Sequence, residues 1–151
     1  MKTKQILYWA TTGLLAFALF AGGTAELLHL PVIDAGMTHL GYPTYFTTIL
    51  GLWKIPAAIV LLSPGWPRLK EWAYAGAFFT MSGAVASHIV SGDSLGQFVA
   101  PLIFTLCTLT SWALRPPNRV IGALFSNQAS EAAHPLWKQP NEEQSAARIS
   151  P

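Results

Sequence analysis

The chain has 151 residues, of which 52% are hydrophobic and only 11% are charged. A soluble domain carries about 25% charged residues, so this composition excludes an ordinary water-soluble enzyme and a wholly disordered chain. The net charge of +2, without any Lys/Arg-rich run, argues against nucleic acid as a partner, and the single cysteine, Cys107, excludes an intrachain disulfide and dithiol chemistry.

Four apolar stretches follow one another along the chain, each close to the about 20 residues that a helix needs to cross a bilayer. Over such a segment, only a helix satisfies its own backbone polar groups in contact with lipid. We therefore predict an all-α fold, a polytopic membrane protein with a bundle of four transmembrane helices in one domain over residues 1–116. The predicted spans cover residues 6–28, 45–62, 72–90 and 98–114.

The segments between and after the predicted spans differ in character. Residues 63–67 and 91–94 are short runs of turn-forming residues. The longer segment 31–43 has a pattern that suits a short helix lying at the membrane interface, with a solvated loop as the alternative. After the double proline at 116–117, residues 117–151 are rich in Gln, Asn, Ser and Glu, which predicts a polar, largely disordered cytoplasmic tail.

The first apolar stretch has a second interpretation. Its basic start, its apolar core and the small residues at 23–25 also fit a signal peptide that is removed after export. We favour a membrane span, because the apolar run is long for a signal peptide and because Trp9 is typical of an anchor at the membrane interface.

The lysines and arginines predict the orientation in the membrane. Eight of the nine lie on one side of the predicted spans, and the ninth, Lys54, lies inside the second span. The positive-inside rule then places both termini in the cytoplasm. Four tryptophans near the same ends of the spans agree with an interfacial aromatic belt, namely Trp9, Trp66, Trp72 and Trp112.

Lys54 is a charged residue near the middle of a predicted span. Burying an ammonium group without a partner is costly, so we expect an anion close to it. Glu26, toward the outer end of the first span, lies within reach of a stretched lysine side chain, whereas Asp34 and Asp93 in the outer connections are less well placed. The alternative is an ion pair with a purely structural role.

His88 lies near the outer end of the third predicted span, at a depth similar to that of Glu26. We predict that Glu26, Lys54 and His88 line a polar pocket in the outer half of the bundle. We expect aromatic side chains such as Trp53 and Phe79 to line it, and we take Trp53, Glu71 and Asp93 as flanking candidates. The alternative role for His88 is a hydrogen bond at the end of its helix.

The remaining ionisable residues give weaker signals. Glu71 begins the third predicted span, where a carboxylate complements the helix dipole. Haem ligation by His88 and His29 would require facing rings at matched depth, which nothing in the sequence fixes, so we do not expect haem. The pattern yields no metal-ligand cluster and no catalytic set.

Several motifs also occur in the order that is typical of a known family. They are residues 40–46, Leu50-Gly51 with Lys54, residues 64–76, Gly83-Ala84, Ser87-His88 and Gly92-Asp93. Over residues 4–116 the chain resembles the DoxX-like family of small bacterial membrane proteins. The resemblance implies a four-helix bundle in the inner membrane.

The resemblance bears unequally on the candidate site residues. Lys54, His88, Glu71 and Asp93 match motif positions of the family. Glu26 does not rest on the resemblance, because only its charge and its depth in the first span indicate it. No catalytic set is established for the family that could be carried over to this chain.

The functional implication of the resemblance is broad. The family takes its name from a subunit of a thiosulfate:quinone oxidoreductase, which implies an accessory subunit of a quinone-linked redox system with a quinone as ligand and a membrane redox partner. The alternative hypothesis is a small proton-coupled carrier that acts as a homo-oligomer, because four helices without a repeat are few for a carrier. An enzyme in its own right is the least favoured hypothesis.

Overall fold

The computed structural model describes residues 2–116 and 119–120, so the tail predicted over 117–151 lies outside the described residues apart from these last two. The described part is helical and contains no strand, which confirms the all-α prediction. Four of its helices are long and apolar enough to cross a membrane. In chain order the helices are α1 (Lys2–Leu27), α2 (Pro31–His39), α3 (Thr44–Leu62), α4 (Pro67–Val90) and α5 (Leu95–Ala113).

The helices begin earlier than the hydropathy pattern predicts. α4 begins at Pro67 rather than at residue 72, because proline has the helical φ and its missing N–H costs nothing in the first turn. α5 begins at Leu95 rather than at residue 98, after Ser94, whose backbone N–H donates to Gln97 Oε1 at 3.0 Å in a capping box. These helix starts contain polar residues, so the hydropathy pattern does not include them in the predicted spans.

The four long helices pack in a ring. α1 contacts α3 and α5, α4 contacts the same two helices, and α2 lies against α3 and α1. The core between the helices includes Leu15, Leu19 and Leu61, each at most 1% exposed. Large apolar side chains such as Phe17 and Phe20 face outward, as expected of helices that lie in lipid.

Two glycines allow α1 and α3 to approach closely. A Cβ atom on Gly51 would lie 2.8 Å from the carbonyl oxygen of Gly23 and 2.8 Å from Cγ of Leu27. A Cβ atom on Gly23 would lie 3.0 Å from Cβ of Lys54. Small residues at helix crossings are the usual means of close packing in membranes. This approach places Lys54 directly beside α1.

The two ends of the ring are chemically different. The end with α2 and the α4–α5 turn, called here the α2 end, holds the three histidines of the described residues, His29, His39 and His88. The opposite end, called the basic end, contains Lys70, which is fully buried. Its Nζ donates to the carbonyl oxygens of Val60 and, at 2.5 Å, of Ser63. Lys70 therefore satisfies carbonyl groups that the end of α3 leaves without helical partners.

Candidate functional site

A cavity of about 500 Å³ lies at the α2 end, between α2, α3 and α4. Its walls are mostly apolar and come from α2, from Phe46 on α3 and from Phe79 on α4. Glu26, Lys54 and His88 also line it, so the structure brings the three predicted pocket residues to one space. We call it the α2 cavity. Its size is typical of a small-molecule site, and its few polar groups are the kind that fix a ligand's orientation.

Glu26 and Lys54 are in direct contact. Lys54 Nζ donates to Glu26 Oε1, and the two side chains are only 14% and 8% exposed. The close approach of α1 and α3 at Gly23 and Gly51 sets this pairing. The structure thus contains the ion pair that the depth of Lys54 in its span predicts, whereas a functional role for the pair stays a prediction.

The second oxygen of Glu26 has no hydrogen-bond partner among the described residues. Oε2 is buried and makes no hydrogen bond within residues 2–116 and 119–120. Buried polar atoms nearly always have a partner, because an unsatisfied one loses its hydration without compensation. The carboxylate is therefore held by Lys54 at one oxygen and retains acceptor capacity at the other.

Asp93 links α2 to the end of α4. Its carboxylate accepts a hydrogen bond from His88 Nδ1 at 2.7 Å and another from His39 Nε2 at 2.8 Å. The Asp93 side chain is 7% exposed. The hydrogen bond from His88, and then that from His39, hold the pKa of Asp93 below its ordinary value. These contacts, with a 2.7 Å hydrogen bond between Tyr42 OH and Ser87 Oγ, fasten the α2 segment to α4.

The hydrogen bond to Asp93 also determines which ring nitrogen of His88 is available to a ligand in the α2 cavity. Because Nδ1 is the atom that bonds to Asp93, Nε2 is the nitrogen left for other partners, and a neutral ring then offers an acceptor there. His29 differs, since its Nδ1 lies 3.1 Å from Asp34 Oδ1 and its Nε2 lies 2.9 Å from Thr48 Oγ1. With both nitrogens of His29 engaged, His29 and His88 do not fit axial ligation of haem.

Two of the flanking candidates lie away from the α2 cavity. Trp53 is 73% exposed and lines a neighbouring cavity instead. Glu71 lies at the basic end, where it pairs with Arg115 at 2.7 Å and accepts a hydrogen bond from Trp112 Nε1 at 3.0 Å. The expected role of Glu71 at the helix dipole is wrong, because α4 begins at Pro67 and its first turn contains no acidic residue. The described residues contain no group of three or more His, Cys, Asp or Glu side chains that could hold a metal ion.

The neighbouring cavity lies between α3 and α4 and measures about 390 Å³. We call it the α3–α4 cavity. It shares Leu50, Lys54 and Thr80 with the α2 cavity and continues toward the basic end as far as Trp72. The sequence gives no direct signal for it, because it results from small residues on α4 that leave space opposite α3.

Comparison with known proteins identifies one family. The model of the DoxX-like family matches residues 10–111, which is more than half of the chain. The match includes the residues that line both cavities, from Leu19 to His88. No curated protein matches the chain, and no solved structure does.

Proposed function

This chain belongs to the DoxX-like family, and on that premise we propose that it binds a quinone-type redox carrier in the α2 cavity, as an accessory subunit of a quinone-linked redox system. The observation that carries the proposal is the buried Oε2 of Glu26, which lies beside the ammonium group of Lys54 and has no hydrogen-bond partner in the described part of the chain. A ligand that brings a hydroxyl group to this carboxylate removes an unsatisfied acceptor, which favours binding.

The chemistry of the two residues matches the two oxidation states of a quinone. An ammonium group has three donors, and Lys54 uses one of them on Glu26. The others suit a quinone carbonyl oxygen, whereas Glu26 Oε2 suits the hydroxyl of the reduced form. The terminal torsion of a glutamate is broad, so the carboxyl group can turn Oε2 into the cavity. The apolar walls, with Phe46 and Phe79, suit the faces of a flat ring.

The role of the chain in this proposal is binding and not catalysis. A bound quinone supplies a two-electron acceptor, and Glu26, Lys54 and His88 hold its oxygens within an apolar enclosure. In this proposal the electrons that reduce the quinone come from a membrane redox partner. This division of labour is what we mean by an accessory subunit.

Retention of quinone by the purified protein tests the proposal. The protein is purified in mild detergent, and bound small molecules are extracted and identified by mass spectrometry. Glu26→Gln removes the anion at nearly constant shape, and Glu71→Gln is the matched control, because Glu71 is also ion-paired but lies at the basic end. We expect quinone in the wild type and in Glu71→Gln, and much less in Glu26→Gln. A wild type that never retains or binds quinone overturns the proposal.

A proton-coupled carrier is the second candidate function. It is favoured by the same acid–base pair, because a buried carboxylate inside a span, with one oxygen that no described residue hydrogen-bonds, can accept a proton. Four long helices are few for a carrier, so this function requires a homo-oligomer. Proton uptake into liposomes that is lost in Lys54→Met but kept in Glu71→Gln would support it. Equal uptake in all three proteins would exclude it.

We propose in addition that the protein lies in a bacterial inner membrane with both termini, and the tail over 117–151, in the cytoplasm. The distribution of lysine and arginine supports this orientation. In a Cys107→Ser background, Ser63→Cys and Ser91→Cys place one thiol in the α3–α4 turn and one in the α4–α5 turn. A membrane-impermeant maleimide should label Ser91→Cys in intact cells and Ser63→Cys only after lysis. The reverse pattern would invert the orientation.

A further inference from the structure

The α2 cavity and the α3–α4 cavity meet at one charged residue. Leu50, Lys54 and Thr80 line both spaces, so the two are adjacent along the groove between α3 and α4. The ammonium end of Lys54 is held toward α1 by Glu26, which leaves the stem of Lys54 at the junction. A molecule with a polar end near Glu26 can therefore extend past Lys54 into the second space.

The walls of the α3–α4 cavity differ from those of the α2 cavity. Apart from Lys54 and Thr80, its lining consists of hydrocarbon and aromatic side chains and a glycine. From Leu50 to Val60 the cavity follows α3 over about 15 Å of helix rise. Gly76 leaves room on the opposite wall, because a Cβ atom added there would meet no atom within 4 Å. The space is long and apolar, which suits a hydrocarbon chain and not a second polar head.

We infer that the α3–α4 cavity holds the hydrocarbon tail of the ligand whose polar head occupies the α2 cavity. The ligand class is thus an amphiphile with an oxygen-bearing ring and a long apolar chain. This inference rests on the proposed quinone binding and adds to it where the tail lies. Occupation of both spaces at once requires the head to lie at the α2 end and the tail to run toward the basic end.

The physical benefit of this arrangement is orientation rather than burial. A hydrocarbon tail in a bilayer is already removed from water, so moving it into an apolar groove yields little hydrophobic free energy. The groove instead limits the positions of the head, because a tail lying beside Gly76 points the ring at Glu26. Trp53 and Trp72 are 73% and 78% exposed beside the groove, so the ligand can enter sideways from lipid.

Photo-crosslinking in nanodiscs tests the position of each part of the ligand. Two benzoquinone probes with the same saturated chain are used, one with a diazirine next to the ring and one with a diazirine at the end of the chain. Labelled peptides are located by mass spectrometry. We expect the ring probe to label residues 32–46 and 79–88, and the chain-end probe to label residues 53–60 and 69–77.

A variant that fills the groove provides the decisive comparison. Gly76→Leu places a side chain in the α3–α4 cavity, and Gly13→Leu is the matched control, since Gly13 also has no atom within 4 Å of an added Cβ but lines neither cavity. We expect Gly76→Leu to lower chain-end labelling of the groove about tenfold, which corresponds to about 1.4 kcal/mol. Ring labelling should persist in the same variant and thereby show that it is folded.

The outcomes separate this inference from the proposed function. Ring labelling of the α2 cavity together with chain-end labelling spread over the lipid-facing helix surfaces would overturn the inference and leave quinone binding intact. Equal chain-end labelling in Gly76→Leu and Gly13→Leu would also overturn it. The background is the labelling that remains when an excess of the same quinone without a diazirine is present. If the ring probe labels the wild type no more than this background, both the inference and the proposed function are wrong.

Discussion

The ion pair between Glu26 and Lys54 makes a quantitative prediction about stability. Lys54→Met removes the cation and keeps an apolar stem, and Glu26→Gln removes the anion at similar shape. Each change leaves the other member of a buried pair without a counter-charge, because the side chains are only 8% and 14% exposed. Removing one partner of such a pair costs about 3–5 kcal/mol, in contrast to exposed pairs.

The two variants should differ in magnitude. A buried charge that has lost its partner can be neutralised by gaining or losing a proton, so the loss in unfolding free energy is limited by the cost of that step. At pH 7 this cost is about 3.7 kcal/mol for an ordinary carboxyl group and about 4.6 kcal/mol for an ordinary lysine. We therefore expect losses of about 3 kcal/mol for Lys54→Met and about 4 kcal/mol for Glu26→Gln. At about 3 °C per kcal/mol for a chain of this size, the melting temperatures should fall by about 9 °C and about 12 °C.

Melting curves in nanodiscs at several pH values distinguish a true pair from two independent residues. The deficit of Lys54→Met should shrink as the pH falls, because protonating the stranded carboxylate becomes cheaper by about 1.4 kcal/mol per pH unit. The deficit of Glu26→Gln should shrink as the pH rises, because deprotonating the stranded lysine becomes cheaper. The double variant should regain much of the loss. An additive double variant, or the same pH trend in both single variants, would refute the pairing argument.

Two further predictions concern packing and pH. Gly51→Ala should cost about 1–3 kcal/mol, because its Cβ would lie 2.8 Å from a carbonyl oxygen of α1, whereas Gly22→Ala, with no atom within 4 Å, should be neutral in the same melting assay. The pKa of Asp93 is held below its ordinary value of 3.8, by the hydrogen bond from His88 first and by that from His39 second. This stabilisation is present above pH 3.8 and is lost as the pH falls through the lowered value. The melting advantage of the wild type over Asp93→Asn should therefore disappear in acid, and an advantage that persists unchanged to pH about 2 would contradict it.

The sequence could predict the features that the lipid environment requires, namely the helical spans and a partner for the lysine inside a span. Long apolar stretches must be helical in a bilayer, so the four spans follow from hydropathy. A lysine in mid-span is expected to have an anion nearby, and depth along the helices makes Glu26 the best-placed candidate for the observed contact. Helix starts are less constrained by lipid. Pro67 and Ser94 lie at starts that a criterion based on apolar residues does not detect.

The contacts around the α2 cavity were harder to predict, because they depend on how the helices are placed in three dimensions. His39 and Asp93 are separated by 54 residues, and their contact requires the position of α2 relative to α4. Trp53 is a different case. Trp53 and Lys54 line the α3–α4 cavity together, but only Lys54 also lines the α2 cavity, so adjacency in the sequence does not decide which cavity Trp53 lines. The side of α3 that carries Lys54 faces α1, which leaves Trp53 toward lipid.

The stability and binding experiments together decide whether the ion pair is structural or functional. If the pair only fixes helix packing, Glu26→Gln lowers the melting temperature, and the quinone retained per folded molecule does not change. If the pair holds a ligand, retention falls further than the folded fraction does. Gly76→Leu provides the opposite contrast, because it fills a space without touching the pair and should leave the melting temperature nearly unchanged. A loss of chain-end labelling in that variant would therefore report on the ligand alone.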